Sequence, residues 1–493
     1  MSNHLLSKSS FVKGCQCSKA LYLYCHHPQL KDELSESKQT IFTQGHQVGE
    51  LAQSLFPDGI KLKKEYDFDF DKGLELTKQY LSKPDVALYE APFLHNEILS
   101  ILDILVSKNG RWYAYEVKSS TGIKDEVIWD AALQYYVIKN SGLNIDDFFI
   151  VYINNQYVRH GEIDVKQLFT IESVRDRILP LQEFVSEKVE ELKAVLKSPS
   201  VPDIDIGLYC EKPYICDFMG HCWKHIPDYS VFNIGNLGKE KQYDLYYNGI
   251  VRIEDIPDDY KLNDKQRTEV SSALTNTPVI KKQEIRDFLS GINYPVYFLD
   301  FETFFPAVPM FDNSRPYRQI SFQYSLHYLD SKDSDLQHFE YLAEADYKID
   351  PRIGFIEALL AQTEKPGDIL VYNISFERTR LIELAQDFPQ YSGAIADIIS
   401  RIKDLMIPFQ NRYYYTPAMR GSHSIKAVLP ALMPGMSYGD LEINQGGQAS
   451  SAFVNLYEET NTEIIAKTRA NLLDYCKLDT LAMVKILKVL EGV

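Results

Sequence analysis

Residues 295–305 read "PVYFLDFETFF", a run of aromatic and aliphatic side chains with Asp300 and Glu302 set in its middle. Strand side chains alternate faces with period two, so Asp300 and Glu302 project from one side while Leu299, Phe301 and Thr303 project from the other. Two like charges therefore stand close together in an otherwise apolar strand. Burying one unpaired carboxylate costs on the order of several kcal/mol and a second adds repulsion, so the pattern calls for a compensating cation. A divalent metal is the candidate.

The remainder of the chain sets the frame. With 493 residues, 45% hydrophobic and 12% aromatic, it is long and apolar enough for two or three globular domains. No run approaches the roughly 18 apolar residues that span a bilayer, and the opening "MSNHLLSKSSFVKG" lacks the apolar core of a secretory signal. This predicts a cytoplasmic protein with no membrane partner. The formal charge of −17 gives no global support to nucleic-acid binding, although a basic groove can coexist with an acidic remainder. Seven cysteines fall into groups: Cys15, Cys17 and Cys25 near the start, Cys210, Cys216 and Cys222 after a long gap, then Cys476. In a reducing compartment such clusters suggest metal ligation before disulfides.

The patterning divides the chain into three blocks. Residues 1–225 pass from helical patterns through strands ("ILSILDILVS", "RWYAYEVKSS", "DFFIVYIN") to a long helix ("LQEFVSEKVEELKAVLKS") and close on the second cysteine group. Residues 226–290 are charged and punctuated by turn residues, and are expected to form a helical connector. Residues 291–493 open on the Asp300 strand and end on the helix "RANLLDYCKLDTLAMVKILKVL". The expected class is α/β.

In the first block "AYEVKSS" places Glu116 and Lys118 on one face of a strand, and "ILDILV" offers Asp103 from the neighbouring strand. Two acids can hold a metal while a lysine orients water or stabilises charge on a phosphate. The helix "GHQVGELAQ" stacks His46 over Glu50 at i and i+4, and the helix "WDAALQYYVI" supplies Gln134 with Tyr135 beside it. This ordered set resembles the PD-(D/E)XK nucleases of the RecB type. The resemblance implies a restriction-endonuclease-like fold, with metal bound by His46 or Glu50, Asp103 and Glu116, catalysis by Lys118, and DNA contact by Gln134 and Tyr135. The helix departs from the family's Gln-x-x-x-Tyr pattern, because Ile138 stands four after Gln134.

"YCEKPYICDFMGHCW" spaces Cys210, Cys216 and Cys222 with five residues between each pair. One more thiolate from the N-terminus completes a set of four, able to hold zinc or an iron–sulfur cluster. One N-terminal and three C-terminal cysteines bracketing a nuclease core resemble the iron–sulfur RecB-like nucleases of the AddB and CRISPR-adaptation groups. The resemblance implies a cluster, expected as [4Fe–4S] with zinc the alternative, on Cys17, Cys210, Cys216 and Cys222, with Cys15 the substitute for Cys17.

In the third block "LVYNISFERTRL" carries Glu377 into a helix after a strand, and "LLDYCKLDTLAM" puts Tyr475 and Asp479 on one helical face. Two-metal phosphodiester hydrolysis uses such carboxylates to fix cations about 4 Å apart. The series Asp300, Glu302, Glu377, Tyr475, Asp479 resembles the tyrosine subclass of the DEDD 3'-5' exonucleases. That resemblance implies an RNase H-like fold and two Mg²⁺ or Mn²⁺ ions. Glu377 stands where the family has aspartate, and Asp404 in "RIKDLMIPF" is the competing residue. Between these motifs "QNRYYYTPAMRGSHSIKAVLP" interleaves Arg412, Arg420 and Lys426 with tyrosines, a composition suited to phosphate neutralisation and base stacking on a single strand.

The expected protein is a metal-dependent, iron–sulfur nuclease acting on DNA, at single-stranded ends, in repair, end processing or defence against foreign DNA. The alternatives are an RNA-trimming exonuclease, or a nucleic-acid clamp in which one module is inactive. No G-x-x-x-x-G-K-[ST] loop occurs, so a helicase or defence partner would be a separate protein.

Overall fold

The computed structural model describes residues 4–33 and 36–493. The chain divides into two units, Met1–His225 with Ala307–Tyr317, and Ile226–Pro306 with Arg318–Val493. Both are mixed α/β.

Unit 1 begins with strand β1 (Leu6–Ser7), which runs straight into helix α1 (Lys8–Gln16) through a capping box on Ser7. Cys17, in extended conformation, separates α1 from α2 (Ser18–His26); α3 (Glu36–Ala52) follows. The sheet then forms from β2 (Ile60–Lys61), β3 (Ala87–His95), β4 (Ile98–Lys108), β5 (Arg111–Lys118), β6 (Asp147–Ile153) and β7 (Phe169–Ser173), paired in that order, with β1 beside β4. β3, β4 and β5 are an antiparallel meander. β5 and β6 are parallel, a pairing that needs a crossover, here helix α4 (Asp125–Asn140).

The two sheet faces are apolar for different partners. Leu105, Ala114 and Phe148 face a core shared with Phe11 of α1, Val127 and Ala131 of α4, and Val189 of α5 (Gln182–Lys197). Ile104, Tyr115 and Val117 face a second core with Val48 and Ala52 of α3. By strand alternation Asp103, Glu116 and Lys118 lie on the α1/α4 side.

Residues Ala307–Tyr317, inside the block expected to be one C-terminal domain, belong to unit 1. Ala307, Val308 and Tyr317 enter the α3-side core, and Arg159 donates to the carbonyls of Pro309 at 3.1 Å and Met310 at 2.6 Å. The Tyr317 hydroxyl donates to the Ser119 carbonyl.

Unit 2 is built on a five-stranded sheet ordered β11-β10-β9-β12-β13, where β9 is Val296–Phe304, β10 Ile320–Leu329, β11 Gln337–Leu342, β12 Asp368–Val371 and β13 Ile402–Asp404; a small pair, β8 (Val279–Ile280) and β14 (Tyr414–Tyr415), stands apart from it. β9, β10 and β11 are antiparallel, whereas β12 runs parallel to β9 and β13 parallel to β12. β9 is thus central, which explains its unbroken apolar run: Tyr297, Leu299 and Phe301 fill one core, Val296 and Phe298 the other. Three helices complete the frame: α6 (Ile374–Asp387), α7 (Gly446–Asn455) and the 30-residue α8 (Thr462–Glu491). α8 lays Met483, Ile486, Leu487 and Leu490 on the Val296/Phe298 side, the side from which Asp300 and Glu302 also project.

Residues 226–290, expected as a connector, are mostly helical but form part of unit 2. They carry a small core around Val231, Leu245 and Ile253, and β8 pairs with β14. Glu269, fully buried, meets the equally buried Arg412 at 2.5 Å. Among the described residues no helix is long and apolar enough to cross a membrane.

Candidate functional site

The shared face of β9 and α8 creates one acidic centre. Asp300, Glu302 and Asp479 bring carboxylate oxygens within 4.8 Å of one another, and among the described residues they are the one group of His, Cys, Asp and Glu that does so. Glu302 and Asp479 are buried, as is Tyr475 one helical turn from Asp479. Burial and the neighbouring acids push Asp300 and Glu302 well above the ordinary carboxylate range, and burial raises Asp479 to about 6. Partial relief comes from neighbours. The Tyr438 hydroxyl donates to Asp479 Oδ1 at 2.6 Å, and the Lys426 ammonium donates to the Tyr475 hydroxyl at 3.0 Å and to the Asn444 carbonyl at 2.7 Å. At the start of α7, Gly446 stands so close that a β-carbon there would lie 3.7 Å from Glu302 Oε2.

Glu377 and Asp404 separate into different roles. Glu377 is buried at the start of α6, its Oε2 has no hydrogen-bond partner among the described residues, and burial lifts its carboxyl to about 8. Its charge is among those that raise Asp300 and Glu302. Asp404 instead accepts backbone N–H bonds from Asn373 and Ile374 at 3.1 Å and from Met406 at 2.9 Å, holding the left-handed turn at Asn373 that opens α6. Its oxygens are committed to the backbone. Three converging acids plus an orphaned buried oxygen beside them are a donor set that fits divalent cations.

The unit 1 cluster differs in charge. Lys118 Nζ contacts Glu116 Oε1 at 2.7 Å and Asp130 Oδ2 at 2.6 Å. Lys8 Nζ contacts the same Glu116 Oε1 at 2.7 Å and lies 3.7 Å from Asp103 Oδ1. Burial alone would raise Glu116, yet Lys118 and Lys8 hold it well below the ordinary range, while burial and Glu116 lift Asp103 to about 6. Asp103 Oδ2 accepts the Val117 backbone N–H at 2.8 Å, and Glu116 Oε2 is buried without a partner. His46 and Glu50 do not join this cluster. They are exposed on α3, which packs on the other sheet face through Val48 and Ala52. At about 100° per residue each stands two positions, about 200°, from Val48, away from the stripe that packs on the sheet.

The residues expected to touch nucleic acid also divide. Gln134 is fully buried between Asp130 Oδ1 (3.2 Å) and Ser100 Oγ (3.4 Å), and Tyr135 is in the core. Arg412 is fastened to Glu269 and to the carbonyls of Phe409 (2.7 Å) and Gly421 (2.8 Å). The polar atoms of Gln134 and Arg412 are thus used inside the protein, and Tyr135 is buried. Of the interleaved tyrosines, Tyr415 is buried against the Tyr229 hydroxyl at 2.7 Å. Arg420 is exposed near Asp228, and Lys426 stands at the acidic centre.

Cys17, Cys210, Cys216 and Cys222 gather at one place: Cys17 and Cys210 act on Cys216 and Cys222 electrostatically, and Cys17, Cys216 and Cys222 border a small core of Ala20, Leu23 and Phe218. Cys15 is elsewhere, against the main core beside Lys188. Gln16 ties the two ends of the set by donating to the carbonyls of Tyr209 at 2.6 Å and Tyr214 at 2.7 Å. Among the described residues no three of these sulfurs fall within 4.8 Å of one another. A single tetrahedral zinc with Zn–S of about 2.3 Å holds its sulfurs about 3.8 Å apart. A four-iron cluster, taking one thiolate per iron, spreads them wider, and the Gly207 N–H directed at Cys210 Sγ (3.5 Å) is the kind of donor such sulfurs accept.

Lys8, Asp130 and Tyr438 were not expected from sequence. Asp130 had a usable signal, standing four before Gln134 on the same helix; Lys8 and Tyr438 had none beyond being polar.

Residues 297–424, from β9 to just beyond Arg420, match the domain of unknown function DUF2779. The chain is 32% identical over 213 residues to the uncharacterized protein MG366 homolog of Mycoplasma pneumoniae, covering 39% of this chain and 31% of that protein. It is 27% identical over 217 residues to the uncharacterized protein UU173 of Ureaplasma parvum, covering 39% and 30% respectively. The chain thus spans about a third of the length of these relatives.

Proposed function

We propose that the protein is a metal-dependent phosphodiester hydrolase whose catalytic centre is Asp300, Glu302, Asp479 and Tyr475 in unit 2, with Glu377 as the fourth acid. The observation that carries this reading is the convergence of three carboxylates, two of them buried, with no basic residue among the described ones paired directly to them. In its ionised form such a set calls for cations, and Mg²⁺ or Mn²⁺ held there would activate water and stabilise the leaving oxygen. Asp300, Glu302 and Asp479 would hold the ions, and Tyr438 fixes the rotamer of Asp479. Lys426 donates to the Tyr475 hydroxyl, leaving that hydroxyl's own proton free to position a water. The mixed sheet, with its acids on the central strand and the last helix, supports the RNase H-like, DEDD exonuclease reading. The meander-crossover sheet and the four gathered cysteines of unit 1 support the RecB-like reading with an iron–sulfur cluster.

The substrate is DNA with single-stranded ends, which suits repair, end processing or defence against foreign DNA beside a separate helicase. The test is digestion of end-labelled single- and double-stranded DNA and matched RNA with Mg²⁺ or Mn²⁺. The expected result is shortening of DNA from an end that requires the metal and disappears in Asp300→Asn. Cleavage of RNA alone would reassign the substrate, and no metal-dependent cleavage of either would overturn the proposal.

A further inference from the structure

In unit 1 the resemblance to metal-dependent nucleases and the geometry diverge. The side chains that would complete a metal set, His46 and Glu50, are exposed on a helix packed against the opposite sheet face. The place between Asp103 and Glu116 is taken by an ammonium: Lys8 Nζ lies 2.7 Å from Glu116 Oε1 and 3.7 Å from Asp103 Oδ1. Lys8 is not there by chance of a flexible surface chain. Its backbone is fixed by the pairing of Leu6 and Ser7 with Ile98 and Leu99 of β4, and by the Ser7 capping box that makes it the first residue of α1. A cation at a helix N-terminus is opposed by the helix dipole, so the acids it faces are what hold it. Three carboxylates, Asp103, Glu116 and Asp130, stand against two ammoniums, Lys8 and Lys118, leaving a net charge of −1 for the cluster. A divalent ion added here would sit against Lys8 and overcompensate the acids. With Lys8 gone, the cluster would carry −2 and Glu116 Oε2, now without a partner, would be open to a metal.

We propose that unit 1 carries its own cation: the Lys8 ammonium occupies the metal position between Asp103 and Glu116, so this half of the protein takes no divalent ion. Resting on the nuclease reading of unit 2, this confines hydrolysis to Asp300, Glu302 and Asp479 and leaves the acidic cluster of unit 1 without a divalent ion.

The experiment is Mn²⁺ titration of the full chain, read from the signal of the free ion, in an Asp300→Asn/Asp479→Asn background that removes the unit 2 donors. The expected result is no specific Mn²⁺ binding in that background, and a gain of at least about tenfold in affinity when Lys8→Met is added, abolished in turn by Glu116→Gln. Binding already present in the background and lost with Glu116→Gln would overturn the proposal without using any Lys8 variant. So would a folded Lys8→Met protein that gains nothing. Neither result bears on unit 2, whose reading fails separately if the unaltered protein binds no Mn²⁺ that Asp300→Asn removes.

Discussion

The hydroxyl of Tyr438 donates a 2.6 Å hydrogen bond to Oδ1 of Asp479, so a residue in a loop outside the acid motifs orients the last of the three converging carboxylates. Partners of this kind typically change metal affinity by about 10–100-fold when removed. Tyr438→Phe is expected to weaken Mn²⁺ binding by about that factor, and a bond to a charged acceptor adds about 1.5–3 kcal/mol to stability. Isothermal titration and chemical denaturation measure the two effects separately.

Glu377 and Asp404 are expected to part in their phenotypes. Glu377→Gln keeps the fold and lowers metal-dependent cleavage. Asp404→Asn removes acceptors from the opening turn of α6 and costs about 0.5–2 kcal/mol in stability, with the rate per folded molecule little changed. Denaturation midpoints beside single-turnover rates distinguish them, and the reverse pattern would return Asp404 to the catalytic set.

Burial raises Glu377 from an ordinary 4.5 to about 8 and Asp479 from 3.8 to about 6. Acids whose native values lie above their unfolded ones bind more protons when folded, so the metal-free protein loses stability as pH climbs from about 4 to 8. Metal binding must displace those protons, and the stabilisation by Mn²⁺ is expected to grow over the same window. Thermal melts with EDTA and with Mn²⁺ from pH 5.5 to about 8.5 test the sign; a metal effect that shrinks with rising pH would contradict it.

Anaerobic purification is expected to give a brown protein with broad visible absorbance that Cys17→Ala, Cys210→Ala, Cys216→Ala or Cys222→Ala bleaches. Cys15→Ala should keep the colour, because that thiol lies in the main core. Stoichiometric zinc in a colourless protein would replace the cluster by one ion.

Arg412→Ala is expected to destabilise unit 2 by about 3–5 kcal/mol, the range for breaking a buried pair and stranding its partner, here Glu269. Oligonucleotide affinity per folded molecule should be unchanged, whereas loss of Arg420, exposed nearby, should lower it.

The parts of the fold readable from sequence are those governed by local periodicity. A strand apolar on both faces must be central, and a period of two puts Asp300 beside Glu302; a period of four puts Tyr475 beside Asp479. That Cys17, Cys210, Cys216 and Cys222 gather was readable for another reason, their grouping at the two ends of one block. Which side of a helix meets the sheet is set by distant partners, and there the reading failed. His46 and Glu50 were aligned with each other but not with the Val48 and Ala52 stripe that anchors α3. Arg412 looked like a surface cation because its partner, Glu269, comes 143 residues earlier. Lys8 carried no local signal at all, being one lysine in a polar opening segment whose meaning depends on β1 pairing with β4.

The excursion of Ala307–Tyr317 has a consequence for how this polypeptide can be inherited or engineered. The chain passes between units at His225–Ile226, at Pro306–Ala307 and again at Tyr317–Arg318. Neither half is a contiguous stretch that recombination could excise in one piece. A cut after His225 would strip unit 1 of the carbonyls that Arg159 uses at Pro309 and Met310 and of the Tyr317 contact to Ser119, while leaving an eleven-residue apolar-bearing loop stranded between β9 and β10. Gene truncations that look like clean domain deletions should therefore yield poorly behaved fragments.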